Sequence, residues 1–225
     1  AGRAGGRSAR GLQKDAAPKS VGKKLAFALL FYGLYGAFAL FFRHQTVLAL
    51  SVFLHGMSFL FLGMFVASSA GEVLFNKEEA DILLHRPVAP RSLLWAKISV
   101  MVQVSLWLAL ALNLIGLLVG IGVRDGGWLY PLAHMLSTFL EALFCTGLIV
   151  LTYQLCLRWF GRERLDGLMT TAQVFVSIFV IVGGQLLPRL LGGISPSGVS
   201  HLDSWWLGLL PPMWFASFDD ALAGR

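Results

Sequence analysis

Five long apolar runs constrain the fold of this chain more than any other feature of its sequence. They cover about residues 25–42, 46–67, 98–123, 128–157 and 168–187. A helix needs about 20 apolar residues to cross the roughly 30 Å hydrocarbon core of a bilayer. Only 13% of the residues are charged, whereas a soluble domain carries about 25%. We therefore predict an all-α, polytopic membrane protein with five transmembrane helices, and we exclude an ordinary soluble enzyme.

The positive charges predict how these helices are oriented, because loops rich in Lys and Arg stay in the cytoplasm. Fourteen of the 18 Lys and Arg residues lie in the tail 1–24 and in the connections 68–97 and 158–167. We predict that these three segments, and so the N-terminus, are cytoplasmic. The basic tail is then an orientation signal that also contacts anionic lipid. The net charge of +6 therefore needs no nucleic acid partner.

The segment 188–225 is predicted to lie outside the cell. Its tryptophans, Trp205, Trp206 and Trp214, favour the level of the lipid headgroups. The pair Pro211-Pro212 interrupts any helix that would span this segment. We predict an external interfacial or re-entrant segment rather than a sixth crossing. Five spans leave the end of the chain outside, so we expect that a sixth helix is missing and that the chain is an N-terminal fragment.

Sequence motifs for catalysis give only negative results. The chain has no H-E-x-x-H, no G-x-S-x-G and no phosphate-binding G-x-x-x-x-G-K-[ST] loop. Cys145 and Cys156 lie 11 positions apart in one apolar run, which on a helix separates them by roughly 16 Å. That distance is too long for a disulfide. We expect no metal site and no cofactor bound by this chain.

Glu141 is the one carboxylate deep inside an apolar run. A lone charge at this depth costs at least about 2.5 kcal/mol, so we predict that Glu141 faces protein or water. It either lines a solute path or carries protons, or it is a packing residue hydrogen-bonded to Asn113 or Gln173 of neighbouring helices. We interpret His55 and His134 as packing or interface residues.

Two glycines in the third apolar run are spaced for close helix contact. Gly116 and Gly120 form a G-x-x-x-G motif. Such spacing puts both glycines on one face of a helix, where a neighbour can approach closely. The motif would allow a close helix contact at this face.

The connection between the second and third spans has the pattern of a short amphipathic helix over 76–86. Acidic residues at its start suit a helix N-terminus, and Pro87 disfavours a helical conformation at Arg86 and so ends the helix. The acidic character is unfavourable for anionic lipid, so we predict that this coupling helix docks in a groove of a soluble partner. The predicted docking residues are Glu78, Glu79, Asp81, Ile82, Leu83, Leu84, Arg86 and Pro87.

Two stretches resemble a known family, the membrane subunits of type 2 ABC exporters. Residues 81–97 contain Asp-Ile-Leu-Leu, then Pro-Val, then Ser-Leu-Leu-Trp-Ala-Lys. This order is similar to the acidic, Leu-rich, Pro-Val, Leu-x-x-x-Lys passage between the second and third helices of the family. The stretch Leu-Pro-Pro-Met-Trp-Phe at 210–215 is similar to the Pro-x-Trp segment that larger members carry outside.

The resemblance implies a membrane permease subunit of an ATP-driven exporter. It implies that the coupling helix docks on a separate ABC ATP-binding subunit, which binds ATP and Mg, and that a second permease half or a second copy completes the transport path. The location implied is the plasma membrane, in a bacterium the inner membrane. No catalytic residue is then expected in this chain. The alternative is an integral membrane enzyme or assembly scaffold, in which Glu141 and one of the histidines form the active pair.

Overall fold

The computed structural model describes residues 21–75, 89–192 and 205–223, and over these ranges the chain is helical without a named strand. Two short 3-10 segments, Ala37–Phe42 and Trp205–Leu209, accompany the helices. The helices are α1 (Val21–Gly36), α2 (Val47–Phe75), α3 (Pro90–Gly122), α4 (Tyr130–Gly192) and α5 (Pro211–Ala223).

Four segments of the described ranges are long and apolar enough to cross a membrane. They are Gly22–Phe42, Val47–Ala70, Arg91–Gly122 and Tyr130–Gly161. The all-helical class with long apolar helices is thus confirmed, and these segments match the first four predicted spans. The fifth predicted span, 168–187, lies in the second part of α4, beyond Gly161, where φ of 72° and ψ of 173° break the helix. As a membrane crossing it stays a prediction.

The outside of the bundle is more apolar than that of a water-soluble protein, and its interior holds polar as well as apolar side chains. Large apolar side chains such as Phe27 and Leu118 are about two-thirds exposed, at 70% and 68%. Polar side chains such as Ser51, Ser58 and Ser105 are fully buried. Since unpaired polar groups are costly in hydrocarbon, this arrangement is typical of helices that face lipid on the outside and protein on the inside.

The helices extend beyond the predicted apolar runs. Helix α2 ends at Phe75 and α3 begins at Pro90, so residues 68–75 and 90–97, which the charge pattern assigns to the connection, are helical continuations of α2 and α3. Pro90 suits this position because the first turn of a helix needs no N–H bond from it. Residues 188–192, predicted to be in the external segment, likewise belong to α4. An apolar run therefore marks only the part of a helix that must be compatible with the hydrocarbon core, and the helix itself can extend beyond it.

The loops with few positive charges meet at one end of the bundle. The Arg124 N–H donates a hydrogen bond to the Gln45 carbonyl at 2.9 Å, which joins the loop after the first span to the loop before α4. Helix α5 packs against α2 and α4 at this end, and its Ala223 lies in one buried apolar cluster with Val47 and Val123. The connection from α2 to α3 leaves from the opposite end.

The G-x-x-x-G face of α3 is in close contact with its neighbours, as the motif allows. A Cβ at Gly116 would lie 2.4 Å from Cδ1 of Leu54 on α2. A Cβ at Gly120 would lie 1.9 Å from Cε1 of Tyr130, the first residue of α4. Both glycines therefore make room for large side chains of adjacent helices.

At Gly36 the backbones of α1 and α3 approach each other closely, and this contact provides a test of packing. A Cβ at Gly36 would lie 2.1 Å from the Leu112 carbonyl oxygen, and a backbone atom cannot move aside as a side chain can. We expect Gly36→Ala to lower the free energy of unfolding by about 1–3 kcal/mol, measured by denaturation in mixed detergent micelles. Gly33→Ala is the matched control on the same helix, because its Cβ would make an ordinary contact of 3.7 Å with Ala111. Equal stabilities of the two variants would contradict this packing.

Candidate functional site

A group of polar side chains lies inside the bundle where α2, α3, α4 and α5 meet. Each member is buried, with at most 1% of its surface exposed. We call this group the buried polar cluster. Its members are His55, Asn113, His134, Ser137, Glu141 and Asp219.

Helical periodicity brings these side chains together. His134, Ser137 and Glu141 are three and four positions apart on α4, so they lie on one face of that helix. Ser51, His55 and Ser58 form a similar polar stripe on α2, with all three side chains fully buried. The two stripes face each other inside the bundle.

His55 is held between two carboxylates. Its Nδ1 lies 2.7 Å from Oε2 of Glu141, and its Nε2 lies 3.0 Å from Oδ2 of Asp219. The Ser137 hydroxyl is 3.1 Å from the same Nε2. Both ring nitrogens of His55 therefore face oxygen atoms.

His134 is held in a similar way by Asp219 and Asn113. Its Nδ1 lies 2.5 Å from Oδ2 of Asp219, and its Nε2 lies 3.0 Å from Oδ1 of Asn113. The Asn113 amide nitrogen donates to the Ser58 hydroxyl at 2.7 Å and to the Ala109 carbonyl at 2.8 Å. Those two bonds fix which way the amide points, so its oxygen faces His134.

Asp219 connects α5 to the spanning helices. In addition to the two histidines, the Ser137 hydroxyl donates to its Oδ1 at 2.6 Å. Burial alone favours the neutral acid, yet the polar contacts with His134 and His55 hold the pKa of the Asp219 carboxyl below its ordinary value. An ionised carboxylate buried among these partners ties α5 to α2 and α4.

The structure confirms that Glu141 faces protein, since its side chain is fully buried. Its partner is His55, not Asn113, which bonds to His134 instead. Oε1 of Glu141 has no hydrogen-bond partner among the described residues. The side chain of Gln173, the other candidate neighbour, lies outside what the structure describes. The two histidines are buried as packing residues are, but they are members of a polar network.

The remaining predicted residues fall into two groups. Trp205 and Trp214 are 81% and 51% exposed, as interfacial residues are, while the side chain of Trp206 is outside the described part of the chain. The predicted coupling helix 76–86, with all eight of its docking residues, also lies outside the described residues. Cys145 and Cys156 are free thiols, as their spacing predicts.

Sequence reasoning singled out Glu141 but missed the cluster around it. The stripes on α2 and α4 were a usable signal, because polar residues at helical spacing within apolar runs predict a shared polar face. Asp219 gave no such signal, since it comes from the short aromatic-rich segment and bonds to a residue 164 positions away.

Comparison of the chain with known protein families, with curated proteins and with solved structures gives no match. The fold itself defines the class as a helical protein with four segments able to span a membrane. Within it, the buried polar cluster can hold a short helix in place, share protons or bind a cation.

Proposed function

We propose that this chain is the membrane permease subunit of an ATP-driven type 2 ABC exporter. The observation that carries the proposal is the position of the connection between α2 and α3. It contains the passage that resembles the family's coupling region, and it leaves the bundle at the end opposite to α5 and to the loops with few positive charges. A cytoplasmic ATP-binding subunit and an external re-entrant segment require this separation.

In this proposal the chain does no covalent chemistry. ATP and Mg bind to the partner subunit, and the coupling helix 76–86 passes the movement of that subunit to α2 and α3. The N-terminus is cytoplasmic and the chain lies in the plasma membrane, in a bacterium the inner membrane. The exposed apolar faces of α1 and α3, which include Leu34 and Leu114, contact lipid and a second permease half or a second copy.

Helix α5 has a defined role in this scheme. It is the external re-entrant segment, seated between α2 and α4, and the buried polar cluster holds it there. A helix in that position closes the outer end of the bundle. Movement of α2 driven from the coupling helix would then be transmitted to α5 through His55.

A membrane enzyme or assembly scaffold is the competing function, and the short contact between His55 and Glu141 favours it. That contact pairs a base with an acid at 2.7 Å, as general acid–base catalysis requires. However, neither side chain has any exposed surface, so no substrate reaches the pair in this conformation. The permease is therefore the better supported function.

The decisive test replaces the apolar surface of the coupling helix. Two Leu side chains buried in a partner groove contribute roughly 3–6 kcal/mol before the costs of association. We expect the double variant Leu83→Ser/Leu84→Ser to lose the ATP-binding subunit that co-purifies with the tagged parent, and with it the ATPase activity of the complex. Its level in the membrane should be unchanged, because the four spans are untouched.

Leu209→Ser/Leu210→Ser is the matched control for that test. It changes an exposed Leu pair outside the four spans, and it should leave both partner retention and ATPase rate at parental values. The proposal fails if no phosphate-loop ATPase co-purifies with the parent, or if the Leu83/Leu84 variant retains the partner and its activity.

The orientation is tested separately with single cysteines. In a background with Cys145 and Cys156 replaced by Ala, Ser8→Cys should be protected from an impermeant thiol reagent applied outside the cell, and Ser200→Cys should be labelled. The expectation follows from the unequal distribution of Lys and Arg. Labelling at position 8 with protection at position 200 would reverse the topology.

A further inference from the structure

Both histidines of the buried polar cluster have oxygen acceptors at both ring nitrogens. A neutral imidazole carries only one N–H, so it can donate to only one of its two neighbours. When His134 donates from Nε2 to the fixed Asn113 oxygen at 3.0 Å, its Nδ1 presents a lone pair to Asp219. When His55 donates from Nδ1 to Glu141 at 2.7 Å, its Nε2 presents a lone pair to Asp219 in the same way.

With the protons assigned in this way, three lone pairs point at one another. They belong to Nε2 of His55, Nδ1 of His134 and Oδ2 of Asp219. The three atoms lie within 4.8 Å of one another, and all three side chains are buried. Three acceptors that converge without a proton between them repel, unless a cation lies among them.

We propose that His55, His134 and Asp219 bind a zinc ion that fixes α5 between α2 and α4. The proposal does not depend on the permease function. It also revises the expectation from the sequence that the chain has no metal site.

The ligand chemistry suits zinc. Two imidazole nitrogens and a carboxylate oxygen form a common three-ligand set, with bonds of about 2.0–2.2 Å and ligand atoms roughly 3.3 Å apart. Oδ2 of Asp219 is already 3.0 Å from His55 Nε2 and 2.5 Å from His134 Nδ1. To hold the ion, the carboxylate must turn away from His134, and the ligand atoms, which lie within 4.8 Å of one another, must adjust to that spacing. Ser137 or a water beside it completes the fourth position.

The surroundings of the three ligands also suit a metal site. Histidine ligands of zinc usually donate their second ring N–H to a carboxylate or carbonyl, which fixes the tautomer and the ring orientation. Glu141 does this for His55, and Asn113 does it for His134. The charges balance as well. The ionised carboxylates of Glu141 and Asp219 carry two negative charges, the two imidazoles are neutral, and one Zn²⁺ cancels the sum.

The rival arrangement is a metal-free network in which both imidazoles are protonated. Its total charge is also zero, but it puts two imidazolium rings 4.8 Å apart between their centroids, with both side chains fully buried. Both rings would share one oxygen of Asp219. Zinc avoids this repulsion and uses the same four side chains.

The first experiment needs only the parent chain, purified in detergent through a tag without histidines and in buffers without chelator. Elemental analysis should find about one zinc ion per chain. Removal of zinc with a chelator should lower the melting temperature, and added zinc should restore it. Cobalt in place of zinc should give the visible absorption bands of a tetrahedral site.

Variants then locate the ion. His134→Ala and Asp219→Asn should each lower zinc affinity roughly tenfold or more. His44→Ala and Asp220→Asn are the matched controls, an exposed histidine and the neighbouring carboxylate on α5, and both should keep parental zinc content. The Leu83→Ser/Leu84→Ser variant should also keep its zinc, which separates this proposal from the permease function.

Two results would overturn the zinc site. One is a parent chain that holds less than about one-tenth of an equivalent after incubation with zinc and whose melting temperature does not respond to chelator. The metal-free network would then be the correct description. The other is zinc that is retained by both cluster variants, or lost from both controls, because the ion would then lie elsewhere.

Discussion

Replacing Asp219 with alanine is expected to lower the free energy of unfolding by about 3–5 kcal/mol, the usual result of removing one partner from a buried charged network. The Asp219 carboxylate contacts three side chains of the cluster, those of His55, His134 and Ser137. Without the carboxylate these groups stay buried but lose a polar partner. Since Asp219 is the member of the cluster on α5, the loss should also release that helix from the bundle.

Two measurements check this expectation. Denaturation in mixed detergent micelles gives the change in stability, with Ser217→Ala as the control at an exposed position of α5. The release of α5 is measured with the substitution Ala216→Cys, at a position that is fully buried. A thiol reagent should modify position 216 slowly in the otherwise native chain and rapidly when Asp219 is also replaced. Equal stability and equal thiol protection would show that the cluster does not hold α5.

The membrane helices could be predicted from the sequence because their requirement is local. Each residue in a span must be acceptable in lipid, so the run 46–67 was sufficient to predict the core of α2. The ends of the helices were not predictable in this way, because α2 continues to Phe75 and α3 already begins at Pro90. The backbone hydrogen bonds of a helix form within the helix in water as well as in lipid. The hydropathy of the terminal residues therefore does not show where the helix ends.

The pair Pro211-Pro212 shows what local rules can decide. A proline has no N–H and a fixed φ, so it interrupts a helix in its interior but is accepted in the first turn. The 3-10 segment indeed ends at Leu209, and α5 begins at Pro211. The rule predicted the break, whereas the packing of the following 13 residues against α2 and α4 depends on contacts that no local pattern contains.

The buried polar cluster was only partly predictable for the same reason. Glu141 was recognised because a carboxylate in an apolar run is costly on its own. Its partner depends on the rotation of α2 and α4 about their axes, which brings residues 86 positions apart to 2.7 Å. Asp219 joins the cluster only because α5 packs against α2 and α4.

The pairing of Glu141 with His55 leads to the second large effect. We expect Glu141→Leu to lower the free energy of unfolding by about 3–5 kcal/mol, because His55 then keeps a buried N–H without an acceptor. Glu141→Gln retains a side-chain oxygen that can accept from Nδ1 of His55. Its cost should be smaller, about 1–3 kcal/mol.

A double-mutant cycle with His55→Leu separates this pair from the rest of the cluster. When both partners are replaced by leucine, neither is left buried alone, so the double variant should be more stable than the sum of the single effects by about 0.5–3 kcal/mol. Tyr153→Phe provides the control cycle, since Tyr153 donates to the Ala67 carbonyl at 2.6 Å and lies 12 positions beyond Glu141 on α4. Its effect should add to that of Glu141→Leu within about 0.5 kcal/mol. If Glu141→Leu is as stable as the parent, His55 does not need the Glu141 carboxylate as its acceptor, and the argument from burial is wrong.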